Sequence, residues 1–408
     1  YGTVTGVQTC ALPIFTIANA SAGVLVKGQL SGSGLVFNDA YRGVSVVGGT
    51  ANITDTEAHR MDYEAFYVQS GTLHLSNVLA REVAIGLANY GVANISDFTV
   101  QEAGVGVQSM GGTLELTGFG LVNASVGFAT VSGASSNVQS AIGQGLALAV
   151  DAGDATDLQL SNAVLSGGRL VVGQGVSAMM FDDVEFLSTS SSEMRPAVDV
   201  SCDGTCTFSS SSINMAPVGM AWSGSGTSVL EHTSVNALYQ GVEATGSGHS
   251  AWSNLSVSAS STGISVQTPT SSLEDVEVVL TSSDATGVDV LGGQHRWTSV
   301  NVEKPFLASD RSSIGLRAWY ADLMLDQFRS RNTSTGMLFE DSIVQVTTAE
   351  ANIGATAGLH LIDSVYRGDS LTTVAQDEGV LMQGAVSLHL QSWTAQLHDT
   401  PQIGRAHV

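Results

Sequence analysis

Gly219-Met-Ala-Trp222, Gly241-Val-Glu-Ala244, Gly263-Ile-Ser-Val266 and Gly287-Val-Asp-Val290 repeat one phrase, a glycine followed by alternating apolar residues, at steps of 22, 22 and 24 residues. The register continues downstream at Gly315, Gly336, Gly358 and Gly379, and upstream at Gly43, Ala65, Gly86, Gly104, Gly127 and Gly145. A fixed short period of this kind marks a repeat architecture in which each unit buries its apolar face against the next. Each copy carries a second alternating run: Leu230 to Val235, Trp252 to Val257, Leu273 to Val278 and Trp297 to Val302. Alternation with period two is the strand signature. The intervening stretches, such as Ser258 to Thr262 and Gly246-Ser-Gly248, are turn-forming and too poor in helix formers for a helix. That excludes a leucine-rich repeat and predicts an all-β fold, a right-handed single-stranded parallel β-helix with rungs of about 22 residues. Between Gly145 and Ala197 only Gly168 offers a rung start, and 28 residues separate Gly287 from Gly315. Loops are expected in both places.

On this rung pattern, over nearly all of Phe15 to Pro401, the chain resembles the pectin-lyase-like β-helix superfamily, including the repeat of large surface adhesins. The resemblance rests on no catalytic motif. It implies an elongated scaffold, and for the enzymes of the group a polysaccharide substrate.

The ends read differently. Val4 to Ile14 resembles a translated sequencing adapter, and Ile403 to Val408 the same adapter on the opposite strand. Residues 1–14 and 402–408 are therefore set aside from fold reasoning, and residues 15–401 are expected to be an interior piece of a longer β-helix protein.

A formal charge of −23 with only two lysines, Lys27 and Lys304, argues against a nucleic-acid partner, whose phosphates demand a basic footprint. No apolar run reaches the length of about 18 residues that spans a bilayer. Cys202-Asp-Gly-Thr-Cys206 places two thiols around a tight turn, and a disulfide is expected there. The alternative, a metal pair, lacks the remaining ligands that zinc takes. A disulfide implies an oxidising compartment, an extracellular or cell-surface location. Asn-x-Ser/Thr triplets at Asn52, Asn94, Asn123, Asn254 and Asn332 agree with exposure to such a compartment.

Because equivalent positions stack, the repeat tells which side chains become neighbours. Asp182, Asp183 and Glu185 lie about four rungs from Glu274, Asp275 and Glu277, near 19 Å at the usual strand spacing. Glycosidic hydrolysis needs two carboxyl groups within about 5–10 Å, so these clusters cannot cooperate. Two residues after each rung start, an outward column reads Asp199, Ala221, Glu243, Ser265, Asp289, Arg317, Leu338, His360. Asp289, Arg317 and His360 stand out in this column, since an Arg beside a carboxylate and near a His could abstract a proton from an acidic sugar. The ordinary account is an ion pair on an exposed sheet face. A calcium-dependent lyase would place aspartates on successive rungs, which this column does not.

Arg296, Lys304, Arg311, Arg317, Arg329 and Arg331 lie close together in sequence, interleaved with Trp297, Phe306, Trp319 and Tyr320. Arg317, Trp319, Tyr320 and Arg329 are the candidate carbohydrate-binding set; against it, Trp297 reads as core and the arginines could neutralise Asp310, Asp322 and Asp326. Asp151, Asp154 and Asp157 form an acidic loop that could gather Ca²⁺, without the glycine and final glutamate of an EF-hand. No other cofactor is implied. His74, His360 and His389 alternate with leucines and are expected to point outward. No phosphate loop, nucleophile elbow or His-Glu-x-x-His motif occurs. The functional expectation is a non-catalytic extracellular or cell-surface scaffold or adhesive stalk whose partner is a polysaccharide or another surface protein; the alternative is a polysaccharide lyase.

Overall fold

The computed structural model describes residues 15–397 except 132, 155, 190–193, 306–311, 355 and 376. The adapter-like segments 1–14 and 402–408 lie outside the described residues. Among the described residues the strand pairings are parallel, and the strands stack as a β-solenoid of about 17 turns. Among the described residues there is no helix, and so none long and apolar enough to cross a membrane. Two compact units are distinguished, Tyr1–Ser190 with Val198–Ser201, and Ser191–Ala197 with Cys202–Val408.

In the first unit most strands run the length of a rung, as in Thr72–Asn89, Val92–Met110 and Thr113–Val131. Register holds from rung to rung: Ile53, Leu75, Ile95, Leu116, Val138 and Leu160 stack in one buried column. Phe66, Leu87, Val107, Phe128, Val150 and Val171 stack in another. In the second unit the strands are shorter, and Leu230, Trp252, Leu273, Trp297, Leu325 and Val346 form the equivalent column. These are the inward positions of the alternating runs. Their burial removes the largest apolar surfaces from water and supplies the main stabilising term.

The rung-start glycines have a steric cause. A Cβ on Gly219 would lie 2.5 Å from the carbonyl oxygen of Gly241 and closer still to a methyl of Val235. Gly241, Gly263 and Gly287 meet the same pair of obstacles, the next rung's carbonyl and an inward valine, Val257, Val278 and Val302 respectively. Three rung starts differ from the sequence reading. Leu87 pairs with Val107 and Phe128 with Val150, so the position before each is held by Gly106 rather than Gly104 and by Ala149 rather than Gly145. The period-two alternation cannot separate the two glycines of Gly104-Val-Gly106, and Gly145 turns a corner at φ 65°. Likewise Leu170, which precedes Val171, takes the position assigned to Gly168.

The corners are built by residues in the left-handed region. Asp55, Asn77, Asp97, Gly118, Ser140 and Asn162 occupy one corner of successive rungs, with φ between 50° and 68°. Asp and Asn tolerate this conformation because their short side chains bond locally, whereas most residues lose about 1–2 kcal/mol there. The next residue is often a hydroxyl turned inward onto the carbonyl two residues back: Thr56 to Thr54, Ser211 to Ser209, Thr233 to Glu231, Ser342 to Glu340 and Ser364 to Ile362. The carbonyls of Thr54, Glu231, Glu340 and Ile362 also accept a backbone N–H from the preceding rung's corner, so the bond chiefly satisfies the hydroxyl that has turned inward.

One buried polar chain runs beneath the tryptophans. Trp297 Nε1 donates to Ser271 Oγ at 2.9 Å, the Ser271 hydroxyl meets His295 Nδ1 at 2.8 Å, and His295 Nε2 meets the Gly292 carbonyl at 2.6 Å. A carbonyl only accepts, so Nε2 carries the proton and Nδ1 accepts from Ser271. The imidazole is neutral, and burial pushes its pKa below the ordinary 6.5 against weaker opposing effects from Gly292 and Asp322.

Two expectations follow from this packing. Gly241→Val should destabilise the second unit by about 1–3 kcal/mol or more, read as a lower urea midpoint, because an overpacked rung must open its own ladder. The pH dependence follows from His295. The unfolded chain protonates this histidine near 6.5 while the folded chain resists, so its contribution is complete above that value and is lost as pH falls through the lowered folded pKa. Unfolding midpoints should drop on acidification below 6.5, with a shallower drop in His295→Gln.

Candidate functional site

The outward column of the second unit is assembled in the register its spacing implies. Ala221 pairs with Glu243, Glu243 with Ser265, Ser265 with Asp289, Asp289 with Arg317, Arg317 with Leu338 and Leu338 with His360. The 28-residue step leaves the ladder unshifted, and its extra residues fall where 306–311, including Phe306, Asp310 and Arg311, lie outside the described residues. Arg317 binds Asp289 through both arms, Nε to Oδ1 at 2.9 Å and Nη2 to Oδ2 at 2.7 Å. Its guanidinium also lies over the Trp319 ring, 4.7 Å from the centroid. The bond to Asp289 raises the arginine's pKa against its partial burial. His360 stands two rungs away, its pKa lowered by burial against smaller effects of Gln383, Glu378 and Glu340. In the first unit, Asp199 pairs with Arg169 at 2.6 Å.

The proposed carbohydrate set does not converge. Arg317 and Trp319 share the face of strand Ile314–Trp319, Tyr320 sits at the following left-handed corner, and Arg329 lies further on, bound to Glu350 at 2.7 Å. Trp297 is buried in the core, as is Lys304. Arg317 and Arg329 pair with acids on neighbouring rungs, Asp289 and Glu350, instead of Asp322 or Asp326. Asp151, Asp154 and Asp157 do not meet as ligands, since among the described residues no three His, Cys, Asp or Glu side chains come together at a cation site. Cys202 and Cys206 are joined in a disulfide with Cα atoms 6.3 Å apart, both side chains buried below an exposed Asp203.

A groove of about 810 Å³ opens instead on the second-strand face of this unit, within the range of about 300–1,000 Å³ usual for ligand sites. Its first wall is the column Arg296, Met324, Gln345, Arg367 and His389, one residue per rung. Two residues further along the strands lie Thr298, Asp326, Thr347, Asp369 and Gln391, with Gln391 donating to Asp369 at 2.7 Å. Arg296 and Arg367 are exposed and stand three rungs apart, about 14 Å at the usual strand spacing. Among the described residues neither makes an ion pair, whereas Arg42, Arg60, Arg81, Arg169, Arg317 and Arg329 all do. Reading the basic residues by nearness in sequence hid this site. Reading them by rung finds it, because each groove-wall residue immediately precedes an inward position: Trp297, Leu325, Val346, Gly368 or Leu390.

Protein-family comparison finds no match to this chain, and no curated protein is similar to it in sequence. The class the molecule itself defines is the parallel β-solenoid, with a polar groove on one face.

Removing Arg317 leaves Asp289 half-buried without its partner. Arg317→Ala should therefore lower stability by about 1–2 kcal/mol in urea unfolding, while Arg296→Ala, on an unpaired exposed arginine, should leave it within about 0.5 kcal/mol of wild type.

Proposed function

We propose that this chain is a non-catalytic β-solenoid scaffold of the cell exterior, which holds an acidic polysaccharide in the Arg296–Arg367 groove. The observation that carries the reading is the pair of unpartnered arginines on one wall of a polar groove in a chain of net charge −23. Ion pairs occupy Arg42, Arg60, Arg81, Arg169, Arg317 and Arg329. Arg296 and Arg367, unpaired, in register and facing hydroxyl, amide and carboxylate groups, suit a linear ligand that presents anionic groups and hydroxyls along its length. The disulfide supports the exterior location. Adhesive use fits a surface that repeats at each rung, as in the adhesin-like solenoids the sequence resembles.

The lyase alternative draws on one feature, the neutral His360 two rungs from Arg317. Arg317 itself is a poor base, since its bidentate bond to Asp289 holds it protonated.

Titration with polygalacturonate and with alginate, with and without Ca²⁺, separates the two. The scaffold predicts binding that weakens as salt is raised and falls about tenfold (~1.4 kcal/mol) in Arg296→Ala/Arg367→Ala, with no unsaturated product. Turnover that disappears in His360→Ala, with the groove variant still active, would replace it with the lyase.

A further inference from the structure

The first unit carries a cluster that the groove does not involve. Tyr41 and Tyr63 are 22 residues apart and occupy the same place on successive rungs, tied by a backbone bond from Tyr63 N to the Tyr41 carbonyl at 3.1 Å. Their rings stack face to face, with centroids 5.5 Å apart and planes 12° from parallel. Both are open to solvent, at 47% and 41% exposure. Arg42 closes the inner side. It is held by Glu64, Nε to Oε2 at 2.6 Å, and its guanidinium lies 5.6 and 5.7 Å from the two ring centroids. Tyr67 covers the guanidinium at 4.3 Å, and Tyr90 meets Tyr67 edge-on, at 68° and 5.9 Å.

We infer that Tyr41 and Tyr63 are a site of oxidative cross-linking, forming an intramolecular dityrosine that staples two adjacent rungs. The chemistry needs a one-electron oxidant of the peroxide-driven haem type. Each phenol gives up one electron and one proton, and the two phenoxyl radicals couple through a ring carbon ortho to the oxygen. Each ring then loses its displaced hydrogen to the oxygen and regains aromaticity. The two electrons and two protons removed reduce one hydrogen peroxide to two waters. Three features select this pair. The rungs hold the two rings one strand spacing apart, so the radicals meet without diffusion. Exposure admits the oxidant and leaves the rings free to tilt from stacking into the bonded geometry, a rotation that surface side chains make in picoseconds to nanoseconds. The clamped Arg42 blocks retreat inward. Tyr67 and Tyr90 are as near to each other in centroid distance, but their edge-on contact puts the ring carbons out of the shared plane stack, and Arg42 occupies one face of Tyr67. They serve as a built-in comparison.

The test treats the whole chain at low concentration with hydrogen peroxide and a haem peroxidase, followed by dityrosine fluorescence and mass spectrometry of tryptic peptides. Cleavage after Arg42 and Arg60 separates the two tyrosines, so the bond appears as a joined peptide pair lighter by two hydrogen atoms. The expected result is a Tyr41–Tyr63 link in monomeric protein, reduced to background in Tyr41→Phe and in Tyr63→Phe and retained in Tyr67→Phe and Tyr90→Phe. Cross-links found only between molecules, a Tyr67–Tyr90 link in comparable yield, or fluorescence that persists in Tyr41→Phe would each overturn the assignment. The conservative Phe variants keep the ring packing, so loss of the link in them cannot come from unfolding.

Discussion

The approach of one rung's backbone to the next at the glycine column is the constraint on which the rest depends. At Gly219, Gly241, Gly263 and Gly287 the following rung's carbonyl and an inward valine together fill the volume a Cβ would need. The strand can therefore press against the opposite wall of the coil, and the valine closes the gap that a side chain would otherwise fill. Pinning this point also fixes the phase of everything after it. The next residue, Met220, Val242, Ile264 or Val288, must point inward, and the one after it must point outward. The column of Glu243, Asp289, Arg317 and His360 is outward because the glycine two residues earlier could not be displaced.

That dependence explains which parts were legible in the sequence. The fold was, because steric exclusion leaves glycine as a visible mark once per rung and burial leaves apolar alternation beside it. The Asp289–Arg317 contact was legible for the same reason, once the long step between Gly287 and Gly315 is taken as a loop outside the ladder. Gly104 misled because alternation has period two and the true mark, Gly106, lies on the same phase. Ala149 and Leu170 left no mark at all. The corner residues Asp55, Asn77, Asp97 and Asn162 also recur once per rung, but Asp and Asn are common on any acidic surface. Only their φ angles reveal them as a set. The groove was hidden for a different reason. Its wall draws one residue from each of five rungs, so nearness in sequence, which grouped Arg296 with Arg317 and Arg329, selected residues that the corners send to different faces.

Charge organises that surface without stabilising much of it. Exposed pairs such as Arg60 with Asp39 and Arg81 with Glu102 contribute about 0–1 kcal/mol each. Their effect is to consume cations. A chain with 37 acidic and 14 basic residues has few to leave unpaired, and in parallel stacking a cation finds an acid one rung away more readily than within its own rung: Asp289 for Arg317, Glu350 for Arg329, Glu64 for Arg42. Arg296 and Arg367 escape because their rung neighbours are Met324, Gln345 and His389. The acids of the groove, Asp326 and Asp369, lie two residues along the strand, where the pleat sets them in the adjoining column.

The first unit shows how much of the groove belongs to the fold and how much to its side chains. At the equivalent position, just before the left-handed corner, Asn52, His74, Asn94 and Glu115 form one column and Thr54, Ser76, Ser96 and Thr117 the next, enclosing about 480 Å³. The two concavities share this strand position but not the corner: of the second unit's groove rungs only the one ending at Ser299 has the left-handed φ that Asp55, Asn77, Asp97 and Gly118 have in the first. The chemistry differs as well. The first-unit groove presents amides and hydroxyls together with His74 and Glu115 and no arginine, whereas the second presents two unpaired guanidiniums about 14 Å apart. Both units carry a groove, and the second alone lines it with arginines; under the proposed reading these are the residues that would carry recognition on the scaffold.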